Sequence, residues 1–242
     1  MSSSVHKWEF DLSSRPIQLI DRCEATLRLA KDARRIGAHQ TPSFARQAIA
    51  GSCISFAIEQ QNSVGLLVAT GRDSSAAVLV RPILESVCVS AWAVYCAEND
   101  QLTSIFRGQR RIPNLSSLIS QLEVARECDW IGLKQRSLNV SAFHALAHPS
   151  MLHLSKRYSS DSSASAFSAE ECIKLLWLAD TLSVTCVGVL SVAMDSEKME
   201  SWAALEMGRL MSEQGVQWEK WKSIARSKMP LGPQTPIANQ PA

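Results

Sequence analysis

The sequence predicts an all-α protein, a single-domain bundle of about seven helices with two central buried helices and a disordered C-terminal tail. Two stretches of helical length, 76–97 and 172–194, are apolar on nearly all sides, and a helix without a polar face is enclosed by other helices. No segment shows the alternation of polar and apolar residues that strands require. Apolar residues make up 46% of the 242 residues, enough for the core of one full domain.

Composition divides the chain into three parts. We expect a flexible N-terminus over 1–13, the helical bundle domain over 14–227, and a disordered tail over 228–242. The tail contains four prolines and little that could be buried, which favours disorder.

Local signals place the first two helices. Ser14 followed by Pro16 is typical of a cap with proline in the first turn, and predicts a helix to about Gly37. Thr41-Pro42 repeats that pattern and opens a second long helix, which ends near Gly71, a natural residue just beyond a helix C-terminus.

The third helix is predicted to be capped by Asp73 and to run to about Ala97. Pro82 stands inside it and removes one backbone hydrogen bond, which predicts a kink near Val78–Pro82. The alternative is a helix that starts at Pro82.

Five further helices are predicted from the same kinds of signal. Asn114 is expected to cap one of them, and Ser168, followed by two glutamates, to open the second enclosed helix. Their expected ranges are 101–107, 115–128, 131–147, 169–193 and 196–214.

The charges nearly balance, with a formal net charge of +2, so neither a nucleic-acid surface nor an acidic tail is predicted. The basic excess is local, over residues 15–46. Phe44 is the one aromatic residue within this stretch, and such a lack of interleaved aromatic residues favours a solvated helix face over a phosphate-binding stripe. The residues concerned are Arg15, Arg22, Arg28, Lys31, Arg34, Arg35 and Arg46.

The seven cysteines indicate a cytoplasmic protein. Their number is odd, none has C-x-x-C spacing, and several fall in apolar helical patterns, as expected of reduced core residues. Met1–Phe10 holds no apolar stretch of the kind that a secretion signal has.

The two enclosed helices also approach membrane-spanning length. One contains Lys174 and Asp180, and the other contains Arg81 and Glu85. Charges at that depth in lipid are expensive, so we expect a water-soluble bundle with no membrane partner.

Arg81 and Glu85 are the first candidate site residues. They stand four apart, hence on one face of a helix that should be enclosed, and a buried charge needs a partner. Two interpretations follow: a structural ion pair, or a pair that faces a pocket and holds a polar ligand or a reacting group.

A second group of candidates lies around a predicted helix break. His144 and His148 share one helical face, but a metal site needs a third ligand, and we predict neither a metal nor a cofactor. His153 and Arg157 follow at once, which places imidazoles and cations together. Such a group is either a solvated basic patch or a site for an anion or a phosphodiester.

These residues resemble an uncharacterised bacterial all-helical domain family over about 75–195. The family pattern is R-P-x-x-E on a helix, then W, C-A and F, and downstream His, Gln or His, and Arg. The matching residues are Arg81-Pro82-Ile83-Leu84-Glu85, Trp92, Cys96-Ala97, Phe106, His148, His153 and Arg157. The resemblance implies a helical fold and a polar site, and the family's function is not established.

A more distant similarity is to HEPN domains, many of which are metal-independent ribonucleases of toxin and phage-defence systems. Their motif is Arg, a polar residue, and then four to six residues that end in His. Here Asn139 precedes His144 at a fitting interval, and Arg136 stands further upstream.

Two functions are therefore expected, and the sequence leaves open whether the chain is an enzyme. The leading hypothesis is a non-catalytic or ligand-binding helical domain of an accessory bacterial system, whose internal Arg/Glu/His site binds through Arg81, Glu85, His153 and Arg157. A homo-oligomer and a protein partner at the C-terminal region are the expected contacts.

The alternative hypothesis is a HEPN-like metal-independent ribonuclease of a toxin or phage-defence system, with RNA as its partner. His144 or His148 would act as the base on a ribose 2′-hydroxyl. Arg81 or Arg157 would stabilise the phosphorane, and Glu85 would orient one of these groups.

Overall fold

A computed structural model describes residues 15–37, 41–125 and 167–214. Over these ranges the chain forms seven helices and no strand, which confirms the all-α prediction. They are α1 (Ile17–Gly37), α2 (Ala45–Ala69), α3 (Asp73–Tyr95), α4 (Asn99–Phe106), α5 (Leu115–Val124), α6 (Ala169–Met194) and α7 (Glu197–Glu213). The helix predicted at 131–147, the predicted flexible N-terminus and the predicted disordered tail lie outside the described residues.

The end of α2 confirms the prediction that this helix stops near Gly71. Gly71 has φ of +75°, a left-handed conformation that side chains disfavour. Its N–H donates to the carbonyl of Val68 at 3.1 Å, and the N–H of Arg72 donates to that of Leu67 at 2.8 Å. This pair of bonds is the Schellman arrangement that closes a helix.

The start of α3 differs from the prediction. Arg72 occupies the cap position without a side-chain capping bond, and Asp73 is the first helical residue. The predicted cap at Asp73 is therefore wrong: this residue belongs to the first turn of α3, and its carboxylate forms an ion pair with Arg15. Pro82 lies well inside α3, so the alternative start at Pro82 is also wrong.

The predicted opening of α2 at Thr41-Pro42 is wrong, because α2 begins at Ala45 with Phe44 at the cap position. Two other predicted caps are confirmed. The Asn114 side chain accepts from the N–H of Ser117 at 2.9 Å. Ser168 and Glu171 form a reciprocal capping box, with bonds of 3.2 and 2.8 Å. Such bonds reach only three residues along the chain, which is why the sequence revealed them.

The helices pack around α2, α3 and α6, which contact one another. α1 covers α2 and α6, α7 packs on α6, α5 packs on α3, and α4 packs on α2. The predicted central position of α3 and α6 is confirmed, since both bury most of their length.

α3 and α6 are long and apolar enough to cross a membrane, by length and composition alone. However, 67% of the most apolar part of α3 and 72% of that of α6 are buried inside the protein. This is the pattern of core helices in a water-soluble bundle.

Candidate functional site

The most enclosed charge among the described residues is Asp180, in the middle of α6, with 0% of its surface exposed. Its Oδ1 accepts from Gln61 Nε2 on α2 at 2.7 Å. Its Oδ2 accepts from Arg22 Nη2 and, at 3.1 Å, from Thr26 Oγ1, both on α1. We call Arg22, Thr26, Gln61 and Asp180 the Asp180 cluster; it joins three helices at one carboxylate.

Two opposed effects act on this carboxylate. Burial raises the pKa of Asp180, whereas the charge of Arg22 and the hydrogen bonds from Gln61, Thr26 and Arg22 act in the opposite direction. Arg22 is itself only 8% exposed. The positive charge of Arg22 and the negative charge of Asp180 thus lie side by side in the interior, and the ion pair carries no net charge.

The cluster has more hydrogen-bonding groups than its members use. Arg22 Nε and Nη1, Gln61 Oε1 and the neighbouring Ser183 Oγ are buried and have no hydrogen-bond partner among the described residues. The Arg22 guanidinium carbon also lies 5.8 Å from the centre of the Trp177 ring, within cation–π range. Buried polar atoms in folded proteins nearly always have partners, so these four atoms are the ones in and beside the cluster that could still accept or donate a hydrogen bond.

A second buried ion pair joins the start of α1 to α3. Arg15 Nη2 donates to Asp73 Oδ1 at 2.7 Å, and Asp73 is 2% exposed. Two thiols are influenced by this pair. Burial, assisted by Asp73, raises the pKa of Cys172 to about 12, and burial raises that of Cys23 to about 11.

A third arginine, Arg46, closes the C-terminus of α3. Its guanidinium donates to the carbonyls of Ala93, Val94 and Ala97, the last at 3.0 Å. These carbonyls lack helical partners because the helix ends there, so Arg46 acts as a buried cap.

These contacts correct the interpretation of the basic stretch 15–46. Arg22 and Arg46 are buried and Arg15 is mostly so, each with a specific partner, whereas a solvated face was expected. The prediction failed for them because a count of charges does not show which side of a helix each charge occupies. It is confirmed for the remaining four residues, which are exposed: Arg28, Lys31, Arg34 and Arg35.

The predicted pair on α3 does form. Arg81 Nε donates to Glu85 Oε1 at 2.9 Å, but the two side chains are 20% and 41% exposed. The expected ion pair is confirmed, while the expected sequestration from water is not, because this side of α3 is only partly covered.

The remaining candidates, His144, His148, His153 and Arg157, lie outside the described residues. Their grouping with Arg81 and Glu85, in a catalytic or a ligand-binding role, stays a prediction. Within the described ranges, no group of three His, Cys, Asp or Glu side chains could hold a metal ion.

Sequence reasoning missed the Asp180 cluster, although a signal existed. Arg22 and Thr26 fall on the helical stripe that α1 buries, and Asp180 interrupts an apolar helix. The other buried residues of that stripe are Leu19, Cys23, Leu29, Ala30 and Ala33. Polar residues at enclosed positions indicate a buried network, but their partners lie 119 to 158 residues away in the chain.

No curated protein and no solved structure matches the chain. A family model does match, over residues 54–207, and it describes a family of unknown function. The matched range contains the whole 75–195 span in which a family resemblance was expected, and it contains α3 and α6. More than half of the chain is covered, so this protein belongs to DUF6988, a family of unknown function.

Proposed function

We propose that this protein is a non-catalytic helical domain that binds a small, uncharged polar molecule at the Asp180 cluster. The observation that carries the proposal is a set of buried atoms for which the described part of the chain offers no hydrogen-bond partner: Arg22 Nε and Nη1, and Gln61 Oε1. A molecule with both an acceptor and a donor would satisfy them.

The charge of the cluster supports an uncharged ligand. Arg22 and Asp180 already neutralise each other. A charged ligand would bring an uncompensated charge into the protein interior, which is strongly unfavourable. A neutral ligand avoids this and still gains hydrogen bonds that buried groups cannot make to bulk water.

The state of the buried groups favours binding over catalysis. The oxygens of the Asp180 carboxylate are buried and already accept hydrogen bonds from three donors, so they are poorly placed to take a proton from a substrate. Burial raises the pKa of Cys53 and Cys88 to about 12, and a thiol that keeps its proton is a poor nucleophile.

The proposal extends to the setting of the protein. In the described part of the chain all six cysteines are free thiols and four of them are buried, which suits a reducing cytoplasm, and the family resemblance suits an accessory bacterial system. Arg81 and Glu85, with His153 and Arg157, are proposed as a second polar contact surface.

Native mass spectrometry after a single affinity step tests ligand binding. The wild-type chain is expected to carry an adduct of constant mass that is lost on denaturation. Gln61→Met, which removes the unpartnered acceptor with little change of volume, should lose the adduct, and the control Arg28→Gln, on the exposed side of α1, should keep it. A native mass equal to that of the bare chain would contradict the proposal.

A ribonuclease assay tests the non-catalytic part. Labelled single-stranded RNA with a metal chelator is expected to stay intact in the presence of the wild-type protein. Cleavage that disappears in His148→Ala would replace this proposal with the ribonuclease hypothesis.

A further inference from the structure

The connection between α4 and α5 is the longest run of exposed residues that the structure describes. All seven residues of 106–112 are exposed, and we call them the arginine turn. Three of them are arginines, Arg107, Arg110 and Arg111, and none is acidic. Large apolar side chains stand at both ends, with Phe106 51% and Ile112 42% exposed. Cations and apolar groups are therefore presented to solvent together.

The three arginines have no role in holding the fold together. In the described part of the chain, none of their guanidiniums forms an ion pair or a hydrogen bond. The sequence itself contains no acidic residue between Asp100 and Glu123. By contrast, Arg35 on α1 lies 3.5 Å from the carboxylate of Asp32. An exposed charge without an internal partner can pair with an incoming group at no loss of a bond within the protein.

The backbone of the arginine turn is fixed at both ends. Gly108 has φ of +71° and donates its N–H to the carbonyl of Ile105 at 2.9 Å, and the N–H of Gln109 donates to that of Ser104 at 2.9 Å. These two bonds are a second Schellman closure, at the end of α4. On the other side, the Asn114 side chain caps α5. A preformed turn loses little conformational freedom when a partner binds.

We propose that the arginine turn is a docking site for an acidic segment of another protein, in which an apolar side chain is flanked by carboxylates. A guanidinium pairs with a carboxylate through two parallel hydrogen bonds. Arginine and aromatic side chains are also the types enriched where proteins meet. The site is separate from the Asp180 cluster, and neither proposal depends on the other.

Other polyanions fit the arginine turn less well. Clusters of about four to eight basic residues are typical of segments that bind anionic membranes, and the turn has three. Single-stranded nucleic acids stack successive bases on aromatic side chains, and the turn has only Phe106. The formal net charge of the chain is only +2, which provides little attraction for an extended polyanion.

A selection from a phage-displayed library of random peptides on the full-length chain tests this proposal. The enriched peptides are expected to carry several carboxylates around an apolar side chain. Because the turn is much smaller than the about 20–30 residues of a stable interface, their dissociation constants are expected in the micromolar range. Binding should weaken as salt is raised, since exposed charges are screened.

Two matched pairs of exposed, adjacent arginines locate the site. Arg110→Gln/Arg111→Gln should weaken the selected peptides by at least about 10-fold in fluorescence anisotropy, because an arginine that anchors an interface is worth several-fold in affinity. Arg34→Gln/Arg35→Gln on α1 makes the same change of charge and should alter affinity by less than about 2-fold. Phe106→Ala should weaken binding by about 5-fold without changing its salt dependence. All three variants change exposed residues, and circular dichroism confirms their folding.

Three results would overturn the proposal. One is a selection that enriches no peptides, or enriches basic or uncharged ones. Another is equal weakening by the two arginine pairs, which would make the attraction a property of the whole surface. The third is tighter binding to poly(U), or to vesicles of equal parts phosphatidylcholine and phosphatidylserine, than to the selected peptides.

Discussion

Replacing the ion pair of the Asp180 cluster by apolar residues should be far less damaging than removing either partner. Arg22→Met leaves the Asp180 carboxylate enclosed with two neutral donors, Thr26 and Gln61. Asp180→Leu leaves the Arg22 guanidinium enclosed with no anion. The double variant removes both charges and retains most of the packing volume.

The expected magnitudes follow from burial, since Asp180 is 0% and Arg22 8% exposed. Breaking a buried pair from one side lowers the free energy of unfolding by about 3–5 kcal/mol. The double variant loses only about 1–3 kcal/mol, because the Gln61 amide is left without its acceptor. The two changes should therefore show a coupling of about 3 kcal/mol or more between them.

Urea unfolding of the four proteins, followed by far-ultraviolet circular dichroism, measures this coupling. Arg28→Met on the exposed side of α1 is the matched control and should change the free energy of unfolding by less than about 0.5 kcal/mol. If the two single losses simply add in the double variant, the Asp180 cluster does not hold α1 to α6 in the way described.

Three further outcomes are expected. The free energy of unfolding should fall as pH rises above about 8.5, the pKa of an unfolded thiol, by about 1.4 kcal/mol per pH unit for each of Cys53 and Cys88. In the folded protein burial raises the pKa of both thiols to about 12. The double variant Cys53→Ala/Cys88→Ala should therefore lose less free energy of unfolding between about pH 8.5 and higher pH than the wild type, measured by urea unfolding at a series of pH values. Arg46→Met should lower the free energy of unfolding by about 3 kcal/mol, because buried carbonyls at the end of α3 lose their donor, with Arg46→Lys restoring part of it. Glu85→Ala should lower it by about 0.5 kcal/mol or less in the same urea assay, since its partly exposed pair is screened by water, and a loss of several kcal/mol would contradict this.

The helices were predictable because their signals are local. Gly71 ends α2 and Ser168 opens α6 through bonds that span three to five residues. Asp73 shows the limit of such signals: its residue type suits a helix cap, but its side chain pairs with Arg15, which is 58 positions away in the chain.

For a related reason, the sequence predicted one of the two ion pairs discussed above and missed the other. Arg81 and Glu85 lie one turn apart, so their pairing follows from helix geometry, but their exposure depends on what other helices leave uncovered. In the sequence, Arg22 is one of several charges in the basic stretch 15–46, and Asp180 is a charge within an apolar helix. Nothing in the sequence indicates that these two residues form an ion pair.

The sequence by itself determined the helical class, most helix ends, and the two apolar helices at the centre, because periodicity and capping operate within a few residues of the chain. Only the tertiary structure decided which buried charges become partners. Coulombic attraction and desolvation depend on distance and enclosure in space, and the packing of α1 across α2 and α6 brought Arg22, Gln61 and Asp180 together.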